Sequence, residues 1–181
     1  MSPAGPPVLC IVGRKNSGKT ELTVRLGSEL NRRGYRVMTV KHGHGFSVDE
    51  PGKDSWRHRH EGGAVRTVLS CPSDFAVIGQ WPTAEMPLSE LVERFLWDAD
   101  IVLAEGFKAA PEPTIEVFRF AEGGEPFVLT DPAGSPGTIA LVTDRTGTDV
   151  SVPVFDLGDS GFVGRLVDFL EGRLPMKGRT L

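Results

Sequence analysis

Val8-Leu9-Cys10-Ile11-Val12 is an unbroken apolar run without polar alternation, the pattern of a strand covered on both faces, and it predicts a central parallel strand. Over residues 19–33 the apolar side chains Leu22, Val24, Leu26 and Leu30 are spaced among polar ones, and Gly34 follows as a stop. That spacing predicts an amphipathic helix. Residues 35–41 read as a second strand, which completes a strand-helix-strand unit with a right-handed crossover. Between His42 and Gly63 the chain is polar and has no clean period, so it reads as a long loop with room for one helical turn. Further strands are expected at 65–69, 75–78, 101–104, 115–118 and 139–142, and helices near 87–97 and 160–171. Gly- and Pro-rich clusters at 123–126 and 131–137 read as turns. Strands alternating with helices indicate an α/β class with three layers around a mostly parallel central sheet.

The length of 181 residues is that of a single domain, 1–181, with 1–7 as a flexible start. Hydrophobic residues at 39% and charged ones at 24% set aside disordered and membrane classes. The formal net charge of −4 argues against a generally basic nucleic-acid binder. Cys10 and Cys71 stand far apart with no CxxC partner, which suggests neither a disulfide framework nor a zinc motif and makes core thiols the expectation over ligands. The first residues lack a basic segment, and the apolar run behind them is too short for a signal or a membrane span. A cytoplasmic protein with no membrane association is expected.

Candidate chemistry begins where the first strand meets the first helix. Gly13-Arg14-Lys15-Asn16-Ser17-Gly18-Lys19-Thr20 fits G-x-x-x-x-G-K-[ST], the phosphate-binding P-loop. Its glycines let backbone amides turn around an anionic phosphate, and the helix N-terminus adds the positive end of its dipole at the same point. Lys19 is expected to reach the outer phosphates of GTP or ATP, and the Thr20 hydroxyl to ligate magnesium. Glu105 follows four apolar residues, Ile101 to Ala104, so it stands at the carboxyl end of a buried strand. Open α/β sheets bind ligands at that edge, and Glu105 is the candidate second metal group.

Three further segments narrow the reading: Thr39-Val40-Lys41-His42-Gly43-His44, the run Asp49 to His58, and Glu105-Gly106-Phe107-Lys108. With the P-loop, and in this order, they make the chain resemble the bacterial molybdopterin-guanine dinucleotide biosynthesis protein B family, MobB, over most of its length. The resemblance implies a P-loop NTPase fold whose metal-binding strand ends in Glu-Gly, a homodimer, and weak GTPase activity with GTP and Mg2+. It also implies an accessory role in molybdenum cofactor biosynthesis beside the MobA-type guanylyltransferase that attaches GMP to molybdopterin. The guanine motif Asn-Lys-x-Asp is missing, and Leu141-Val142-Thr143-Asp144 is its nearest substitute, with Asp144 as the group that could accept from guanine. GTP over ATP is therefore inherited from the resemblance. Where related dimeric NTPases carry a lysine that reaches the partner's nucleotide, this chain has Arg14, then Lys15.

His42, His44, His58 and His60 share the polar segment with Lys41, Lys53, Arg57 and Arg59. Without HExxH or a cysteine pair, anion recognition is a better expectation than a metal site, with Arg57 and His58 toward a molybdopterin phosphate and Lys108 toward bound nucleotide. Asp54, within Pro51-Gly52-Lys53-Asp54-Ser55, is ranked above Asp49 as an acid that could coordinate magnesium or orient a water. Two other functions compete with the accessory role: an autonomous ATP-dependent small-molecule kinase or ligase of the same fold, and a scaffold that binds nucleotide without hydrolysing it.

Overall fold

The computed structural model describes residues 5–43, 45, 48–130, 137–145 and 147–176. His44, residues 1–4 of the expected flexible start and residues 131–136 of the second turn cluster lie outside them. The chain divides into two compact units, Met1–His42 with Leu88–Leu181, and Gly43–Pro87.

The first unit holds a six-stranded, all-parallel sheet of order β2-β5-β1-β6-β7-β8, formed by β1 (Val8–Val12), β2 (Val37–Lys41), β5 (Ile101–Glu105), β6 (Thr114–Phe118), β7 (Thr138–Thr143) and β8 (Val154–Asp156). The apolar runs are continuous because alternate side chains enter two different cores. Leu9 and Ile11 of β1 and Ile101 and Leu103 of β5 pack with Leu22, Leu26 and Leu30 of α1 (Lys19–Arg32) and with Phe162, Leu166 and Leu170 of α5 (Phe162–Glu171). Cys10, Val12, Val102 and Ala104 face the other way, against Leu88 and Val92 of α3 (Leu88–Phe95). This is the expected three-layer architecture. Each fully buried leucine contributes about 1.5–3 kcal/mol. Arg33, after α1, joins α1 to α5 by ion pairs to Glu29, Asp168 and Glu171.

The second unit contains α2 (Asp54–His60) and an antiparallel pair, β3 (Arg66–Ser70) and β4 (Phe75–Gly79). The expectation of one helical turn in this segment was too short. Helix α2 buries no side chain, so it leaves no apolar period to read. It is held by contacts one turn apart: Arg57 with Glu61 at 2.8 Å, and Trp56 stacked on His60 at 4.3 Å between ring centroids. Three short elements were not anticipated, the three residues of β8, the four of α4 (Phe127–Thr130) and a single 3-10 turn at Phe120–Glu122.

The cysteines divide. Cys10 is wholly buried and its thiol is pushed up to about 12, first by desolvation and then by Glu112. Cys71 is exposed, contrary to the expectation of two core thiols, and hydrogen bonding from Ser73 lowers its pKa. N-ethylmaleimide at pH 7.5 is therefore expected to modify the native chain once, at Cys71, and to reach Cys10 only as fast as the protein unfolds; two rapid additions by mass spectrometry would contradict the buried assignment.

Candidate functional site

Every strand of the parallel sheet ends at the same edge, and the residues that follow the strand ends gather there. The loop after β1 runs from Gly13 to Gly18 and delivers the chain into α1 at Lys19. Gly13 has φ +152° and Gly18 φ +101°, and Asn16 takes φ +63°, so the loop turns through left-handed conformations three times. The Ser17 side chain, in a residue 2% exposed, has no hydrogen-bond partner among the described residues. A buried hydroxyl left so costs about 1–3 kcal/mol. An orphaned hydroxyl inside a loop that turns repeatedly through positive φ fits an anionic ligand better than a closed structural turn.

Lys19 folds back across this loop and donates to the carbonyls of Gly13 at 3.2 Å and Arg14 at 2.6 Å. Desolvation is the largest influence on its ammonium and lowers its pKa, Glu105 opposes this, and Lys41 reinforces it. Thr20 donates its hydroxyl toward both oxygens of Glu105, at 2.9 and 3.1 Å. Glu105 closes β5 and is 7% exposed. Lys41 closes β2, paired in register with Glu105, and its Nζ lies 3.2 Å from Glu105 Oε1 and 3.4 Å from Thr20 Oγ1. A hydroxyl and a buried carboxylate converging on one cation are hard oxygen donors, which fits magnesium held together with phosphate oxygens.

Arg14 is engaged within its own chain: it donates to the Glu125 carbonyl at 3.1 Å, and its guanidinium lies 5.9 Å from the Phe118 ring centre and 5.8 Å from that of Phe127. The Lys108 ammonium stands 3.8 Å over the other cation's ring, Phe127. Lys15 and Asn16 are exposed. A cavity of about 230 Å3 is lined by Gly18, Arg25, Arg119, Asp144, Leu157 and Phe162, among others. Asp144 accepts the Phe120 amide at 2.9 Å through Oδ1. The cavity is below the ~300–1,000 Å3 of drug-sized pockets and on the scale of one planar ring system. Asp54, Arg57 and His58 all belong to α2 of the second unit, where Asp49 accepts from Ser55 at 2.8 Å and pairs with Arg59 at 3.3 Å.

Two residues of the site were not singled out from the sequence. Arg119, after β6, donates from Nε to the Ser17 carbonyl at 3.2 Å and so braces the P-loop from the neighbouring strand. Glu116 is 1% exposed in mid-strand and accepts the amides of Phe127 and Val128 at 2.6 and 2.9 Å, fixing the start of α4. Burial pushes its carboxyl up, and the two amides oppose this. The signal for Glu116 was present: a lone acid inside Thr114-Ile115-Glu116-Val117-Phe118 faces a sheet that is covered on both sides.

The family model described as molybdopterin guanine dinucleotide synthesis protein B, MobB, matches residues 8–144. The molybdopterin-guanine dinucleotide biosynthesis adapter protein of Haemophilus influenzae is 39% identical over 115 residues, which span 62% of this chain and 64% of that relative. The adapter protein of the same description from Escherichia coli is 32% identical over 167 residues, 91% of each chain. Among solved structures, one of molybdopterin-guanine biosynthesis protein B is 29% identical with a TM-score of 0.67 and covers 91% of this chain and 97% of its own. The MobB homologue of Bacillus stearothermophilus, 24% identical, shares the fold with a TM-score of 0.66 over 92% of this chain and 99% of its own.

Proposed function

This chain belongs to the MobB family, and from that premise we propose that it is a GTP-binding adapter with weak GTPase activity in the biosynthesis of molybdopterin guanine dinucleotide. The observation that carries the reading is the meeting of Thr20, next to Lys19 at the start of α1, with Glu105 at the end of the strand beside β1. In this reading the loop amides and Lys19 hold the phosphates, and Thr20 and Glu105 hold Mg2+, which when bound supplies charge neutralisation at the phosphate oxygens. Asp144 serves the base. Its carboxylate accepts from the N–H groups of guanine, whereas adenine turns a ring acceptor toward it, and Asp144 lines the adjoining cavity.

Hydrolysis is slow because the isolated chain positions the attacking water incompletely, so binding is the main activity. The chain acts in the cytoplasm as a homodimer beside a MobA-type guanylyltransferase. Arg57 and His58 of α2 contribute to recognising molybdopterin or that partner, and Asp54 assists at the metal. Among the described residues no helix is long and apolar enough to cross a membrane, in keeping with that location.

Calorimetric titration with non-hydrolysable GTP and ATP analogues, with and without Mg2+, tests the ligand. Magnesium-dependent binding that prefers GTP is expected. A preference for ATP would shift the reading to a small-molecule kinase or ligase, and no binding of either would remove it. Glu105→Gln is expected to leave metal-free GTP affinity within about threefold and, at saturating GTP and Mg2+, to lower phosphate release by roughly a hundredfold, since it removes charge only at the metal. Unchanged release would overturn the metal role of Glu105.

A further inference from the structure

We propose that Lys41 is a tethered counter-ion that competes with the divalent cation for Glu105 and Thr20, so that metal is held at this site only once the lysine has left it. The inference rests on the nucleotide reading above and adds a residue that controls metal entry. Its basis is position. The Lys41 ammonium lies within 3.2 Å of Glu105 Oε1 and 3.4 Å of Thr20 Oγ1, the same two side chains whose oxygens suit a magnesium ion. An ammonium at these oxygens repels a hard divalent ion that needs them at about 2.0–2.1 Å, so the two cations compete for the site.

The placement is built into the sheet rather than left to a loose side chain. Lys41 and Glu105 are register partners at the ends of adjacent parallel strands, so the lysine backbone is fixed beside the carboxylate. The mobile part is the four-carbon stem, with the side chain 63% exposed against 9% for that of Glu105. Charge bookkeeping runs the same way. A buried carboxylate requires a cation, and Lys41 provides one in the absence of metal. Lys41 is the ammonium that pairs with Glu105, and its charge there raises the cost of adding a divalent ion. Release of Lys41 removes that opposition and leaves Glu105 in need of a partner.

The test is Mn2+ titration of the full chain saturated with GDP, read from the loss of the free-ion electron paramagnetic resonance signal. GDP lacks the terminal phosphate that would draw the lysine away, so the competition is kept. Lys41→Met is expected to tighten Mn2+ binding about fivefold, the scale of losing one partly exposed ion pair. Lys41→Arg retains the cation and is expected to stay within about twofold of the parent, which separates charge competition from a general disturbance of the strand end. Lys41→Arg should melt with the parent, and Lys41→Met, which leaves the buried Glu105 carboxylate without this cation, somewhat below it until metal is added. Equal or weaker Mn2+ binding by Lys41→Met overturns the proposal while the nucleotide reading stands. Failure of the parent chain to bind GDP at all removes both.

Discussion

Lys19→Ala is expected to lower the affinity for a nucleoside triphosphate by roughly a hundredfold or more while leaving the melting temperature nearly unchanged. Charge-assisted hydrogen bonds contribute about 1.5–3 kcal/mol each, and loss of two such bonds corresponds to a factor of roughly a hundred or above. The side chain is already in place for them: its ammonium spans the loop between the carbonyls of Gly13 and Arg14. Stability should change little, because the carbonyl contacts that are lost are offset by relief of a partly desolvated ammonium. The pH dependence has a definite sign. Desolvation lowers the Lys19 pKa in the free protein, and bound phosphate must raise it. Affinity is therefore full below the lowered pKa and declines as pH rises through it, at a less alkaline pH than an ordinary lysine would give. Calorimetry from neutral to alkaline pH reads both effects, and undiminished binding by Lys19→Ala would remove the lysine from the phosphate site.

What could be read from the sequence was local. The octamer from Gly13 to Thr20 carries its meaning in consecutive residues, and its position between a strand and a helix is fixed by flanking apolar runs. Glu105 was found the same way, by its place at the end of Ile101-Val102-Leu103-Ala104. The partners of these residues were not legible, because they arrive from elsewhere in the chain. Arg119 meets Ser17 across 102 positions, and Lys41 meets Glu105 only through the register of two parallel strands. The sequence put Lys41 at the end of a strand, but not which strand end it would stand beside. Helix α2 escaped for a different reason: it is stabilised by side chains on its own surface, and periodicity reports burial, not helicity.

The two glycines of the octamer look equivalent in sequence and are separated by what surrounds them. A Cβ on Gly13 would stand 2.3 Å from the Val117 carbonyl and 2.6 Å from Ser17 Oγ, at φ +152°. Val117 is fixed in β6, so the loop itself would have to lift off the sheet. Overpacking of this kind costs about 1–3 kcal/mol and the backbone conformation about 1–2 more, so Gly13→Ala is expected to destabilise the chain by about 2–5 kcal/mol. A Cβ on Gly18 would meet only the Arg119 guanidinium, at 3.4 Å, and that side chain can move. Gly18→Ala should therefore cost about 1–2 kcal/mol, from its φ of +101° alone. The losses of binding should follow the same order, since lifting the loop at Gly13 carries Ser17 and the Lys19 anchor away from the strand ends, whereas strain at Gly18 leaves them in place. Urea unfolding followed by analogue titration measures both quantities. Equal stability of the two variants would mean that the close approach of Gly13 to β6 does not hold the phosphate loop in position.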